Sequence, residues 1–163
     1  MSVSIVVSDT SPIRALQHLG IVSVLGKLYG TVYLPDLVAL ELRRANQLCP
    51  SLEPADFPFL KIRTPKDQAR VKMVRATLDE GEAAALVLAI EMAADFILMD
   101  EPRGRMVAVQ MGLKPVGVLA VLAEAKEKTL IGAVRPLIER LQRELQFRLA
   151  PQVISSVLRR VQE

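Results

Sequence analysis

The sequence predicts an α/β protein in which a parallel β-sheet of about four to five strands is flanked by helices and followed by a helical C-terminal segment. Short β-rich segments alternate with helical segments through roughly the first 120 residues, an order typical of parallel sheets. Of the 163 residues 51% are hydrophobic, with four Phe, two Tyr and no Trp. We therefore expect an aliphatic core and one domain over residues 1–163, with an α/β core at 1–125 and C-terminal helices at 126–163.

Three strands and four helices are predicted before residue 79. The β-rich run from Val3 to Val7 is the first strand, and Ser11 and Pro12 suit the N-cap and first residue of the helix that follows. Further strands are predicted at 31–34 and 60–63, with a Pro-rich loop at 50–58 between them. The predicted helices of this part cover about 12–19, 22–28, 36–44 and 66–78.

The segment from 78 to 105 organises the rest of the prediction. Gly81 is expected to interrupt the chain, and Glu82 then lies in the first turn of a helix that continues through Ala83–Ile90. Apolar residues surround this helix, which indicates that it is buried. Phe96–Met99 is predicted as a buried strand, and Asp100 follows its carboxyl end, where ligands bind in parallel sheets. The remaining predictions are a strand at 116–118 and helices at about 104–111, 119–128, 134–145 and 151–161.

Charged residues are distributed unevenly, although the formal net charge is only +3. Residues 61–78 hold six Lys and Arg against Asp67 alone, whereas residues 79–113 hold seven acids against Arg103 and Arg105. The tail from Lys126 is basic again. An acidic centre between basic flanks suits a metal-dependent enzyme that acts on a polyanion. Charge blocks are more often solvated helix faces, so the pattern by itself leaves both interpretations open.

Four carboxylates are candidates for such a centre. Asp9 and Asp100 follow predicted strands, Glu82 opens the buried helix, and Glu41 lies on the third predicted helix. Each alone has an ordinary explanation as a helix cap, a partner of the helix dipole or a solvated residue. If they converge at about 5 Å, each pair repels by roughly 3 kcal/mol, so the cluster needs a cation. A ligand set made only of oxygen favours Mg²⁺ or Mn²⁺ over zinc.

Cys49 and His18 are the single Cys and the single His of the chain. They exclude a His/Cys zinc cluster and leave a Ser/His/Asp triad dependent on His18 alone. A lone Cys forms no internal disulfide, which suits a reducing cytoplasm. No apolar run approaches the roughly 20 residues of a membrane span, and no export signal is recognisable at the start. We therefore expect a cytoplasmic protein without membrane contact.

Several segments together resemble a known family. Asp9-Thr10-Ser11-Pro12 follows the first strand. Pro35 precedes the third helix and Glu41 lies on it, and two further motifs occupy 78–85 and 98–105. In their order and spacing these segments resemble the PIN domain, and more narrowly a prokaryotic branch related to the VapC-type toxin ribonucleases. The similarity continues through 117–131 and the Phe147-Arg148-Leu149 segment, so it covers nearly the whole chain.

The resemblance implies a Mg²⁺- or Mn²⁺-dependent ribonuclease that hydrolyses RNA phosphodiester bonds. Its acids correspond to Asp9, Glu41, Glu82 and Asp100, where the third position departs from the Asp usual in the better-studied toxins. Supporting roles in the metal site fall to Thr10, Ser11 and Glu101, and phosphate-binding roles fall to Arg103 and Arg105. The implied partners are single-stranded or structured RNA, a small antitoxin protein and a second copy of the chain in a homodimer.

Other interpretations remain at this point. The main alternative is a non-catalytic PIN-like module that binds nucleic acid or protein through a vestigial acidic pocket. A phosphatase of similar topology would place a second Asp two residues after Asp9, where Ser11 stands. A receiver-like switch would need paired acids near the first strand and a Lys after the last one, and neither is clear.

Overall fold

The computed structural model describes residues 4–163 and contains a five-stranded sheet in the order β3-β2-β1-β4-β5. Every strand pair in it is parallel, so the predicted α/β class is confirmed. The predicted start of the first strand at Val3 lies outside the described residues. The strands are β1 Val6–Ser8, β2 Val32–Leu34, β3 Leu60–Ile62, β4 Phe96–Leu98 and β5 Pro115–Val116.

The strand order reverses between β1 and β4. From β1 the chain builds outward to β2 and β3, and it then returns to place β4 on the other side of β1. Val6 pairs with both Val32 and Phe96, and the amide of Asp9 donates to the carbonyl of Leu98 at 3.0 Å. Ligand sites of open α/β sheets lie at this kind of reversal, beyond the carboxyl ends of the strands. Asp9 and Asp100 follow the two strands that meet there.

Helices flank the sheet on both faces and continue to the end of the described chain. A short 3₁₀ turn at Pro54–Asp56 lies inside the predicted Pro-rich loop. Within residues 4–163, none of the helices is long and apolar enough to cross a membrane. The helices are α1 Thr10–His18, α2 Val24–Tyr29, α3 Asp36–Arg43, α4 Gln68–Val74, α5 Glu80–Glu91, α6 Pro102–Gln110, α7 Val118–Glu127, α8 Arg135–Glu144 and α9 Pro151–Arg160.

Two predicted helix starts are wrong. Helix α1 begins at Thr10 with Asp9 in the N-cap position, because the chain turns directly after pairing with β4. Ser11 is therefore not the cap, and Pro12 occupies the third helical position, where its missing N–H costs little. Helix α5 begins at Glu80, so the predicted interruption at Gly81 lies inside its first turn.

The core is aliphatic, as predicted, and lies on both faces of the sheet. Val6 faces a cluster formed with α1, α2, α7 and the two C-terminal helices, and its neighbour Val7 faces a second cluster formed with α5 and α6. Neighbouring strand residues point to opposite faces, which accounts for this division. Residues 81–89 of α5 are all buried, which confirms the prediction made from its apolar surface.

Glu163 anchors the C-terminal helices. Its carboxylate accepts hydrogen bonds from the Lys126 ammonium at 2.6 Å and from the amides of Val134 and Arg135 at 2.7 and 3.0 Å. These partners belong to the end of α7 and the start of α8. Glu163, three residues after the end of α9, is thus tied to both preceding helices through one paired carboxylate.

Candidate active site

A cleft of about 400 Å³ opens beyond the carboxyl end of β1. Five of its side chains are carboxylates, and they come from five separate positions along the chain. We call it the acid cleft and define it by its lining residues. These are Asp9, Thr10, Ser11, Arg14, Glu41, Asp79, Glu82 and Glu101.

Asp9 is the most deeply placed of these acids, with only 4% of its surface exposed. Although it occupies the N-cap position of α1, its side chain makes no capping hydrogen bond. Burial raises the pKa of Asp9 to about 7, and repulsion from Asp79, Glu41 and Asp100 adds to this, while the Thr10 amide opposes it. The Asp9 carboxylate is therefore not explained by capping.

Glu41 is held in the cleft by neighbours from two helices. The Thr10 hydroxyl donates to its Oε2 at 2.6 Å, and the backbone of Gly81 in α5 packs directly against its carboxylate. A Cβ atom at position 81 would collide with the Glu41 carboxylate oxygens, so this close approach requires glycine. Burial raises the pKa of Glu41, and the hydrogen bond from Thr10 partly offsets that rise.

Arg14 fixes the helix that carries Glu41. Its guanidinium donates to the Glu41 carbonyl at 2.6 Å and to the Arg44 carbonyl at 3.0 Å, at the C-terminal end of α3. Its Nη1 is buried without a partner in the described structure. Arg14 therefore positions α3 through the backbone, and its charge lowers the pKa of the Glu41 carboxyl.

Glu82 lies in the first turn of α5, where Asp79 caps the helix by accepting from the Glu82 amide at 2.8 Å. Burial raises the pKa of Glu82 to about 8, helped by a hydrogen bond to the Asp79 carboxyl and by repulsion from Asp79, Asp9 and Glu101. Gly104 allows α6 to approach this region, since a Cβ there would lie 2.5 Å from Met99 Sδ and 3.3 Å from Glu82 Oε2. Residues from α6 and from the turns that precede α1, α5 and α6 thus act on Glu82.

Asp100 lies in a neighbouring cavity. This apolar cavity of about 500 Å³ is lined by Asp100 and Arg105 among mainly aliphatic residues of α6, α7 and α9. Asp100 Oδ1 accepts from the Val118 amide at 2.9 Å, and Oδ2 is buried without a partner. Burial raises its pKa to about 6, while the Val118 amide and Arg105 oppose that rise.

The structure thus separates the predicted site residues into groups. Asp9, Glu41 and Glu82 share the acid cleft with Thr10, Ser11 and Glu101. Asp100 and Arg105 line the apolar cavity, where Arg105 donates to the Met99 carbonyl at 2.9 Å. Arg103 lies in a third cavity, beside the acid cleft.

Asp79 and Arg14 line the cleft but were not among the predicted site residues. A sequence signal existed for each of them. Asp79 stands three residues before Glu82, the spacing of an N-cap and the amide that it binds. Arg14 follows Thr10 by four residues and therefore shares its helix face.

The oxygen donors of the site suit a divalent metal ion in their chemistry, but they are not arranged closely enough to coordinate one. Carboxylate and hydroxyl oxygens suit Mg²⁺ or Mn²⁺, and the buried Ser11 Oγ and Asp100 Oδ2 have no partner in the described structure. Over residues 4–163, however, no three Asp, Glu, His or Cys side chains are arranged closely enough to hold an ion. The donor set fits such an ion, while a coordination shell is not assembled.

These features define an α/β protein with an acidic site at the reversal point of a parallel sheet. A family model described as a PIN domain matches residues 5–163. The chain belongs to the PIN-domain family, and its fold is of the nuclease type, which confirms the family resemblance predicted from the sequence motifs. In a comparison with curated proteins, none matches this chain.

Proposed function

We propose that the protein is a divalent-metal-dependent ribonuclease that hydrolyses RNA phosphodiester bonds. One observation carries the proposal: Asp9, Glu41 and Glu82 come from three separate elements, yet they share one cleft in which burial raises all three pKa values. Such an arrangement disfavours the charged carboxylates and is relieved by a bound cation. Carboxylates with raised pKa values in a cleft are typical of functional sites.

Asp9, Glu41 and Glu82 would hold Mg²⁺ or Mn²⁺, with Asp100 as the fourth acid. Support for Asp100 comes from its charge, which contributes to the raised pKa of Asp9. When bound, the ion would supply an activated water and neutralise charge on the phosphoryl oxygens.

The chain's own residues would position these groups and the RNA. The Thr10 hydroxyl orients Glu41, and Arg14 fixes the end of α3 that carries it. The Ser11 hydroxyl is available for a water or a phosphate oxygen. We assign the supporting charge to Glu101 and a phosphate contact to Arg103, since both lie at the side of the cleft. Arg105 is proposed to contribute through its contact with the Met99 carbonyl.

We further propose a cytoplasmic toxin of the VapC type that forms a homodimer and is restrained by a small antitoxin. The support is the motif order of the sequence together with an acidic cleft that lies open at the surface. The alternative, a non-catalytic binding module, is favoured by a different observation: within residues 4–163 no three of the acids are arranged closely enough to hold an ion.

Cleavage of single-stranded RNA by the purified protein tests the proposal. We expect activity with Mg²⁺ or Mn²⁺, none with EDTA, and at least a hundredfold loss in Asp9→Asn and in Asp100→Asn. Equal cleavage by the parent and both variants would indicate a contaminating nuclease.

Induced expression of the chain tests the toxin role. It should slow growth, and expression of the neighbouring gene should restore growth. Harmless expression with no partner recovered would leave the nuclease without a toxin role.

Metal binding separates an active pocket from a vestigial one without a substrate. Mn²⁺ should raise the melting temperature of the parent by mass action. Asp9→Asn should abolish that shift, while its own metal-free stability should equal or exceed that of the parent. An unchanged parent melting temperature at millimolar Mn²⁺ would favour the non-catalytic module.

A further inference from the structure

The acid cleft adjoins a polar cavity of about 380 Å³ that contains two arginines, Arg75 and Arg103. Asp79, Glu82 and Glu101 line both spaces, so the two cavities are adjacent. We propose that this arginine cavity binds the backbone phosphates of single-stranded RNA next to the bond that is cleaved. The inference rests on the proposed nuclease function and adds to it the path of the substrate and a role for Arg75.

The two arginines reach the cavity from different elements. Arg75 ends α4, whereas Arg103 lies in the first turn of α6. Helix α6 approaches the acids closely because Gly104 packs against Met99 and lies near Glu82. A strand that leaves the acid cleft would therefore meet both guanidinium groups, which match phosphate oxygens in shape and charge.

Their present partners differ. Arg103 is exposed and makes no ion pair or side-chain hydrogen bond with any residue in 4–163, so its donors are open to a ligand. Arg75 forms an ion pair with Glu80, and both side chains of this pair are about half exposed. An exposed pair of this kind contributes little to stability, so a phosphate can compete with Glu80 for Arg75.

The form of the site favours a single strand over a duplex. Asp9 and Glu82 are only 4% and 9% exposed, so a phosphodiester must enter a recess to reach them. A flexible strand can do this, whereas a duplex holds its backbone on a rigid helix. The cavity offers no aromatic ring for base stacking among its lining residues. Recognition there would therefore run through the backbone and would be tolerant of sequence.

Binding is best measured without cleavage, by fluorescence anisotropy of a labelled single-stranded RNA decamer on the Asp9→Asn protein in Mg²⁺. Adding Arg75→Ala and Arg103→Ala together should weaken binding at least tenfold at low salt. The slope of log affinity against log salt should fall by about 1.4, as expected for two lost phosphate contacts. The matched control is Arg143→Ala, because Arg143 is also an exposed, ion-paired arginine but lies on α8, outside both spaces. Its effect should stay below twofold.

Removal of the carboxylate that pairs with Arg75 gives a more specific test. Glu80→Gln should tighten binding about two- to threefold when Arg75 is present and leave it unchanged in the Arg75→Ala background. Glu139→Gln removes an equal charge from the exposed face of α8 and controls for net charge. Equal tightening by Glu80→Gln in both backgrounds would overturn the Arg75 contact. An unchanged affinity and salt slope in the double arginine variant, or duplex RNA bound as tightly as the single strand, would overturn the proposed path.

These outcomes are separable from failure of the nuclease proposal. Arginine-dependent binding without cleavage by the parent protein would support the path and remove the catalytic role. Cleavage by the parent that is indifferent to both arginines at subsaturating RNA would support the nuclease and remove the path.

Discussion

The acid cleft and the Glu163 anchor use the same functional group in opposite ways. In the cleft, Asp9 and Glu82 are buried beside other acids, and burial raises their pKa values to about 7 and about 8. In the anchor, the Lys126 ammonium and two backbone amides lower the pKa of Glu163 to about 2. A carboxylate with a cation and hydrogen-bond donors beside it stabilises a fold, whereas a group of buried carboxylates without a cation lowers its stability. The difference distinguishes a structural acid from a candidate functional one.

Among changes that leave every acid of the cleft in place, Gly81→Ala has the largest expected effect. The new Cβ would displace the Glu41 carboxylate, so we expect RNA cleavage to fall by at least tenfold. The free energy of unfolding should be unchanged or slightly larger, because Ala favours a helix over Gly by about 1 kcal/mol and the flexible Glu41 side chain can move away. Gly132→Ala is the control, because a Cβ there meets nothing within 4 Å. Full activity in Gly81→Ala would show that the observed place of Glu41 is unimportant.

The anchor should respond in the opposite manner. Glu163→Ala removes three hydrogen bonds, so we expect a loss of roughly 1–3 kcal/mol in the free energy of unfolding, measured by urea denaturation. Cleavage per folded molecule should stay unchanged. Glu139→Ala, on the exposed face of α8, should alter stability by less than about 0.5 kcal/mol. Equal stabilities for the two variants would remove the anchoring role of Glu163.

The pH dependence of stability should have opposite signs in the two regions. Asp9 and Glu82 bind protons more tightly when folded, so the metal-free protein should lose stability as pH rises from about 4 towards 8. Glu163 binds its proton less tightly when folded, so its contribution should be lost as pH falls from about 4.5 towards 2. Each fully linked proton corresponds to about 1.4 kcal/mol per pH unit.

Two variants assign these slopes. Asp9→Asn should flatten the loss between pH 5 and 7, and Glu163→Gln should flatten the loss below pH 4.5. Denaturant melts at fixed pH in the presence of EDTA measure both. If the parent protein without metal gains stability between pH 5 and 8, the raised pKa values of Asp9 and Glu82 are contradicted.

Arg14→Lys should have the smallest effect. Lysine keeps the positive charge but loses the guanidinium that spans the Glu41 and Arg44 carbonyls. We expect a severalfold fall in kcat with little change in KM, because the end of α3 loses its fixed position. A rise in KM with kcat unchanged, measured on the same RNA, would instead indicate that Arg14 contacts the substrate.

Local patterns in the sequence determined the order of strands and helices along the chain, the buried character of α5, and the place of Asp9 and Asp100 after two of the strands. These properties depend on the spacing of hydrophobic residues over short segments, which can be recognised in a single sequence. The family match over residues 5–163 agrees with the order of the motifs. The start of α1 was missed because the bond between the Asp9 amide and the Leu98 carbonyl joins residues far apart in sequence.

Only the tertiary structure decided which acids face one another. The side chain of Asp100 is held by the Val118 amide, 18 residues further along, and lines the apolar cavity, although its charge still raises the pKa of Asp9. Asp79 and Glu101 enter the cleft because the starts of α5 and α6 are brought together there. Side-chain direction beyond a strand end depends on hydrogen bonds from distant elements, which spacing along the chain does not encode. Gly81, whose expected role was to interrupt the chain, instead provides the close contact with Glu41 on another helix.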